Sequence, residues 1–140
     1  MTVHLLKKYQ QFHCHSLKRI LIVEDNDINR MLLSDYLSYS GYTVQSLANG
    51  SFFFIKIQQF QPDLILLDLK LPDVDGYSLL QQIQQQPAFA KIPVIVVSGF
   101  AFKSDQERAV ELGACGYFVK PINLNELLRK ISEELVIKYM

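Results

Sequence analysis

The chain has 140 residues, 49% hydrophobic and 20% charged, which suits one domain able to bury a real core and excludes a disordered chain. Fourteen Lys plus Arg balance fourteen Asp plus Glu, so no overall basic field argues for nucleic acid, and function must rest on local charge placement. Two cysteines, Cys14 and Cys115, make no disulfide framework, and no apolar run approaches the ~20 residues that span a membrane, so a cytoplasmic protein with reduced thiols is the simplest reading.

Residues 1–17 read as an N-terminal extension, either helical or a frayed tail, ahead of a domain over 18–140. Val3, Leu5, Leu6, Tyr9 and Phe12 form an apolar stripe that, on a helix, would pack on the domain or on a second copy. The stretch lacks the apolar core of a secretory signal. His13-Cys14-His15 invites a metal reading, but adjacent ligands on one short segment rarely close a tetrahedral site.

Ile20-Leu21-Ile22-Val23 is the first apolar run, followed by Glu24-Asp25. Residues 28–40 then carry Ile28, Met31, Leu32, Leu33, Tyr36 and Leu37 near helical spacing, and Gly41 sits where a helix would stop. Tyr42-Thr43-Val44, continuing into Gln45, is a more polar run suited to an edge strand. Residues 51–60 form a second helical stretch that ends before Pro62, with an unusually apolar start from Ser51 through Phe52, Phe53, Phe54 and Ile55.

Leu64-Ile65-Leu66-Leu67 leads to Asp68, and residues 77–86 make a helix ending before Pro87. Its glutamines (Gln81, Gln82, Gln84, Gln85 and Gln86) suit a polar outer face. Val94-Ile95-Val96-Val97 leads to Ser98-Gly99. Residues 104–112 open with Ser104 and Glu107 in capping-box spacing and close at Gly113. Tyr117-Phe118-Val119 precedes Lys120-Pro121, and residues 123–139 make a last helix capped by Asn123.

Four of these five runs are apolar at successive positions, as in strands buried on both faces. Five repeats of strand then helix predict an α/β doubly wound fold with a five-stranded parallel sheet. Right-handed crossovers put helices on both faces. In such sheets ligands gather at the carboxyl ends of the strands, which selects Glu24, Asp25, Asp68, Ser98 and Lys120. Three clustered carboxylates repel one another and call for a cation. Hard oxygen ligands suit Mg²⁺. Lys120 reaching over the same rim would bind a phosphoryl oxygen as a point charge, and Ser98 would donate to another.

The run Asp68-Leu69-Lys70-Leu71-Pro72-Asp73-Val74-Asp75-Gly76 is more specific. With Glu24-Asp25, Pro62-Asp63, Ser98-Gly99 and Lys120-Pro121 it resembles the receiver domain of bacterial response regulators. The resemblance covers the chain from about Lys18 onward. It implies a flavodoxin-like (βα)5 fold with strand order 2-1-3-4-5. It implies that Asp68 accepts a phosphoryl group from the phosphohistidine of a sensor histidine kinase or a phosphotransfer protein. Asp25, Asp68 and the backbone carbonyl of Lys70 would hold Mg²⁺, with Glu24 assisting. Lys120 would neutralise the phosphoryl group, Ser98 would bond it, Tyr117 would be an aromatic switch, and the Lys120-Pro121 bond would be cis. The protein would be a phospho-acceptor signalling protein assisting its own aspartyl chemistry rather than an enzyme of another kind.

Leu71 stands where the family often has Met, a volume-conserving swap. Lys70 and Phe100, each two residues beyond a site residue, are expected to tune phosphate lifetime, Phe100 by hindering the hydrolytic water. The chain ends at or just after the fifth helix, so the expectation is a stand-alone receiver without a DNA-binding domain, acting on an unknown downstream protein, with a homodimer open to it. Asn26, Ile28, Asn29 and Met31, with the Pro121-Ile122 loop, would face the kinase. An aspartate-nucleophile phosphatase would want an acid where Lys70 stands. A flavin carrier would want a phosphate-cradling loop where Glu24-Asp25-Asn26-Asp27 repels phosphate. A degenerate receiver serving as a phosphorylation-independent scaffold is the alternative, against which the full set of site residues argues.

Overall fold

The computed structural model describes residues 18–137. The readings made for residues 1–17, including the apolar stripe and His13-Cys14-His15, lie outside them, as do positions 138–139 of the last expected helix. Within them, strands and helices alternate: β1 (Arg19–Val23), α1 (Asp27–Tyr39), β2 (Thr43–Leu47), α2 (Phe53–Phe60), β3 (Leu64–Leu67), α3 (Gly76–Gln85), β4 (Val94–Ser98), α4 (Lys103–Glu111), β5 (Gly116–Val119) and α5 (Leu124–Ile137). The sheet is parallel throughout, in the order β2-β1-β3-β4-β5, as the resemblance implies.

Strand side chains alternate between two apolar layers, as a period of two requires. Leu21, Val23, Ile65, Leu67, Val94 and Val96 pack with Phe53 and Ile57 of α2 and with Leu80 and Ile83 of α3. Ile20, Ile22, Leu64, Leu66, Ile95 and Val97 pack on Leu33 and Leu37 of α1 and on Leu127 and Ile131 of α5. This double covering explains why β1, β3 and β4 read as unbroken apolar runs. β2 is an edge strand, as its polarity suggests, but it runs on to Ser46 and Leu47, because Leu47 stays in register with Val23.

Helix ends follow local chemistry. Asn26 caps α1 by accepting from the Asn29 amide at 2.9 Å, and Gly41 leaves the helix at φ 102°. Asn123 caps α5 by accepting from the Glu126 amide at 3.1 Å. The capping box at Ser104 does not form. α4 begins one residue earlier, with extended Phe102 at its N-cap and no side-chain cap, so Ser104 already lies inside the first turn. α4 is weakly held, with Ala109 its buried residue, whereas α3 buries Tyr77, Leu79, Leu80 and Ile83 and turns Gln81, Gln84 and Gln85 outward. The apolar start of the second helix divides: Phe53 is buried, while Phe52 and Ile55 are exposed.

Candidate functional site

The parallel ladders continue one residue beyond the strands and deliver the site. The Glu24 amide donates to the Leu47 carbonyl and the Asp68 amide to the Val23 carbonyl, both at 3.0 Å, and the Lys120 amide donates to the Ser98 carbonyl at 2.8 Å. Four strand ends therefore bring Glu24, Asp25, Asp68, Ser98 and Lys120 to one rim. Asp68 is 4% exposed, Glu24 2% and Ser98 0%, while Asp25 faces solvent. Buried acids are costly unless paired. Here Lys120 pairs with two of them, its Nζ lying 2.6 Å from Glu24 Oε1 and 2.9 Å from Asp68 Oδ2. The Lys120-Pro121 bond is cis.

The electrostatics follow from that crowding. Burial, and then the neighbouring Asp68 carboxylate, push Glu24 well above the ordinary carboxylate range. Burial by itself would lower Lys120, but the two carboxylates outweigh it and hold the ammonium above its usual value. The second Asp68 oxygen, Oδ1, accepts from the Lys70 amide at 3.0 Å. Glu24 Oε2 has no partner and is, among the described residues, the one buried side-chain polar atom left so. Ligand oxygens of Glu24, Asp25 and Asp68 all lie within 4.8 Å of one another. An orphaned buried carboxylate oxygen beside two further carboxylates fits a hard divalent cation such as Mg²⁺.

The loop after Asp68 is clamped from two sides. Gly76 donates to the Leu69 carbonyl at 2.9 Å, and a Cβ there would meet backbone: Leu69 Cα at 2.5 Å and the Asp68 carbonyl oxygen at 2.7 Å. Only glycine allows so close an approach. Asp75 caps α3 by accepting from the Tyr77 amide at 3.0 Å. Asp73 accepts from the Gly50 amide at 2.9 Å and from the Ser51 hydroxyl at 2.8 Å, which hold its carboxyl below its ordinary value. The motif residues after Asp68 thus serve to hold its loop.

The expected switch residues stand around the β4–α4 loop. Ser98 Oγ accepts from the Phe100 amide at 3.1 Å, and the Tyr117 hydroxyl donates to the Phe100 carbonyl at 2.8 Å. Both groups therefore hold the loop in this structure. Four residues escaped the sequence reading: Arg30, Tyr77, Asp105 and Arg108. Arg30 donates to the Glu24 carbonyl at 2.9 Å and to Asp27 at 2.6 Å, tying down the acidic loop. The Tyr77 hydroxyl lies 3.3 Å from Asp105 Oδ1, and the Arg108 guanidinium carbon lies 4.0 Å above the Tyr77 ring. Arg30 stands one turn from the acids on α1 and was open to inspection, whereas the Tyr77 cluster joins positions 28 and 31 residues apart with no local signal.

The model of the response regulator receiver domain matches residues 20–132. The chain belongs to the receiver family. It is 36% identical over 118 residues to the polar-differentiation response regulator DivK of Brucella anthropi, an alignment covering 84% of this chain and 96% of that one. Among solved structures, it resembles the receiver domain of a sensor histidine kinase from Pseudomonas aeruginosa with a magnesium ion coordinated in its active-site cleft. That match has a TM-score of 0.76 and 31% identity, covering 84% of this chain and 97% of the other. A signal receiver domain of a histidine kinase from Syntrophus aciditrophicus matches with a TM-score of 0.78 and 31% identity, over 85% and 90% of the two chains. Receivers are signalling modules of two-component systems. No helix of this receiver, among the described residues, is long and apolar enough to cross a membrane.

Proposed function

We propose that this chain is a response regulator receiver, phosphorylated on Asp68 by a sensor histidine kinase or a phosphotransfer protein and read by a protein partner. The observation that carries the reading is Asp68 itself: a buried carboxylate held between the Lys120 ammonium and the Lys70 amide, beside an orphaned Glu24 oxygen. Asp68 Oδ attacks the phosphorus, the P–N bond to the histidine breaks, and the imidazole leaves with the electron pair and takes up a proton. Asp25, Asp68 and the Lys70 carbonyl, with Glu24 assisting, would hold Mg²⁺. When bound there, the ion supplies charge neutralisation for the transferring group. Lys120 is placed to exchange its carboxylate contacts for a phosphoryl oxygen, and the fixed loop after Asp68 orients the nucleophile.

The switch reading rests on Ser98 and Tyr117. A phosphoryl group adds charge and acceptor oxygens at Asp68. Ser98 would turn its hydroxyl from Phe100 towards that charge. The loop would follow, and Tyr117 would give up its bond to the Phe100 carbonyl. Phosphorylation then biases a two-state element that a partner senses.

The kinase-facing surface has a physical counterpart. Ile28 and Met31 on α1 are exposed at 65% and 56%, and beside them lies a cavity of about 450 Å³ lined by Asn29, Leu32, Lys120, Pro121 and Ile122. An apolar patch next to the acceptor suits a docking helix that must present a histidine there.

Acetyl phosphate with Mg²⁺ tests the proposal, read by intact mass. One phosphoryl group should be taken up, and the uptake should vanish in Asp68→Asn or with a chelator. Folded protein that binds Mg²⁺ but takes up nothing would instead support the scaffold reading.

A further inference from the structure

The end of the sheet opposite Asp68 carries a second groove, of about 420 Å³, walled by Ile57 and Gln61 at the end of α2, by Pro62, and by Ala88, Phe89 and Ile92 of the α3–β4 loop. Next to it the Phe54 ring stacks on Phe89, with centroids 6.2 Å apart, and Ile55 lies exposed on α2. The groove is lined by apolar Ile57, Pro62, Ala88, Phe89 and Ile92 and by polar Gln58 and Gln61, and it matches the size of pockets that take side chains or small ligands. The acceptor chemistry makes no use of it.

We propose that residues 1–17 of this same chain dock into this groove, placing the apolar side chains of Leu5, Leu6, Tyr9 and Phe12 between the end of α2 and the α3–β4 loop. The place where the segment joins the domain is the first argument. Arg19 donates its amide to Asp63 Oδ2 at 2.8 Å and accepts from the Asp63 amide at 2.7 Å. Asp63 follows Pro62, a wall of the groove, so the segment enters the domain beside it. Five residues lie between Phe12 and Lys18, and the six peptide steps in extended form reach roughly 20 Å.

Composition is the second argument. Leu5, Tyr9 and Phe12 recur at i, i+4 and i+7, which puts three apolar side chains on one face of a helical turn sequence. A groove lined by Ile57, Phe89 and Ile92 is where such a face is hidden from water. Charge is the third argument. Residues 1–17 contain Lys7 and Lys8 and no acid. In this fold the helices run against the strands, so their carboxyl ends gather at this end of the sheet. α1, α2 and α3 each carry no basic residue in the last turn. The negative ends of these helix dipoles thus carry no cationic side chain from their own last turns, and a basic segment arriving there is favoured over an acidic one.

Cys14 provides the probe. In the full-length Cys115→Ser chain, uniformly labelled with nitrogen-15, a nitroxide on Cys14 should erase the amide signals of Gln58, Gln61, Ala88 and Phe89. Phe12→Asp, or Ala88→Arg to fill the groove, should restore them, while acetyl phosphate uptake at Asp68 stays unchanged in both. Signal loss confined to Arg19, Thr43 and Asp63 would overturn the proposal, as would loss that survives both variants. Mixing isotope-labelled chains with nitroxide-bearing unlabelled ones separates the remaining possibility. Loss at the groove in that mixture means that a second copy supplies the segment, which also overturns docking within one chain. Because the readout sits at the far end of the sheet, a failure here is distinguishable from a failure of phosphorylation.

Discussion

Replacing Gly76 by alanine should unsettle Asp68 without touching its side chain. The new Cβ would stand 2.5 Å from Leu69 Cα and 2.7 Å from the Asp68 carbonyl oxygen, against ordinary carbon contacts of about 3.5 Å or more. Something must retreat by about 1 Å, and no flexible side chain is there to yield. Either α3 moves away and loses the bond from Gly76 to the Leu69 carbonyl, or the Asp68-Leu69 peptide shifts. Overpacking of this kind costs ~1–3 kcal/mol and the weakened hydrogen bond ~0.5–1.5 kcal/mol. Alanine's helix preference returns at most ~1 kcal/mol.

The expected net loss is ~2–3 kcal/mol, or ~5–10 °C in Tm. The chain has no Trp, so urea unfolding would be followed by far-UV circular dichroism. Acetyl phosphate uptake should slow in the folded variant, since displacement of the proposed nucleophile by this distance is costly. Gly99→Ala is the control: a Cβ there meets nothing within 4 Å, so its stability should change by less than ~0.5 kcal/mol. If Gly76→Ala matches Gly99→Ala in stability and uptake, the close approach does not hold Asp68 and the reasoning fails.

Phe100→Ala should shorten the life of the phosphorylated protein by letting water reach Asp68, measured as mass loss after acetyl phosphate is removed; an unchanged decay would reject that role. Tyr77→Phe should cost ~0.5–1.5 kcal/mol in urea, through the bond to Asp105 that ties α4 to α3. Amide exchange should rise first in α4, and no change there would show that Tyr77 does not restrain the helix. Burial, then the nearby Glu134 charge, push the Cys115 thiol up to about 11 from 9.0. In a Cys14→Ser background its thiolate fraction, and so its alkylation rate at neutral pH, should be ~100-fold below that of an unperturbed thiol. Because the native state keeps this proton longer than the unfolded one, the thiol's stabilising contribution is complete below pH 9. It declines as pH rises from 9 towards 11. A rate profile with its midpoint near 9 would refute the shift.

Much of this protein was legible from local pattern. Short unbroken runs such as Leu64-Ile65-Leu66-Leu67, bounded by turn signals, read as strands covered on both faces, and punctuation at Asn26, Gly41, Pro62 and Asn123 bounds the helices. Each of those signals acts within a few residues, through backbone geometry or a cap. Once the elements alternate, the rule for parallel sheets places Glu24, Asp68, Ser98 and Lys120 on one rim. The rest depended on residues distant in sequence. That Lys120 pairs with both buried acids, that Glu24 Oε2 is left orphaned, and that Ser98 and Tyr117 both hold Phe100 are properties of side chains meeting across strands. Gly76 reads as a turn glycine, yet its necessity lies in the Leu69 backbone packed against it. The capping box at Ser104 failed for the converse reason. A capping signal is local and weak, and α4, which buries little, starts at Lys103 with Ser104 already inside it. Local chemistry determined the elements and the site's members; packing alone decided which of their atoms meet.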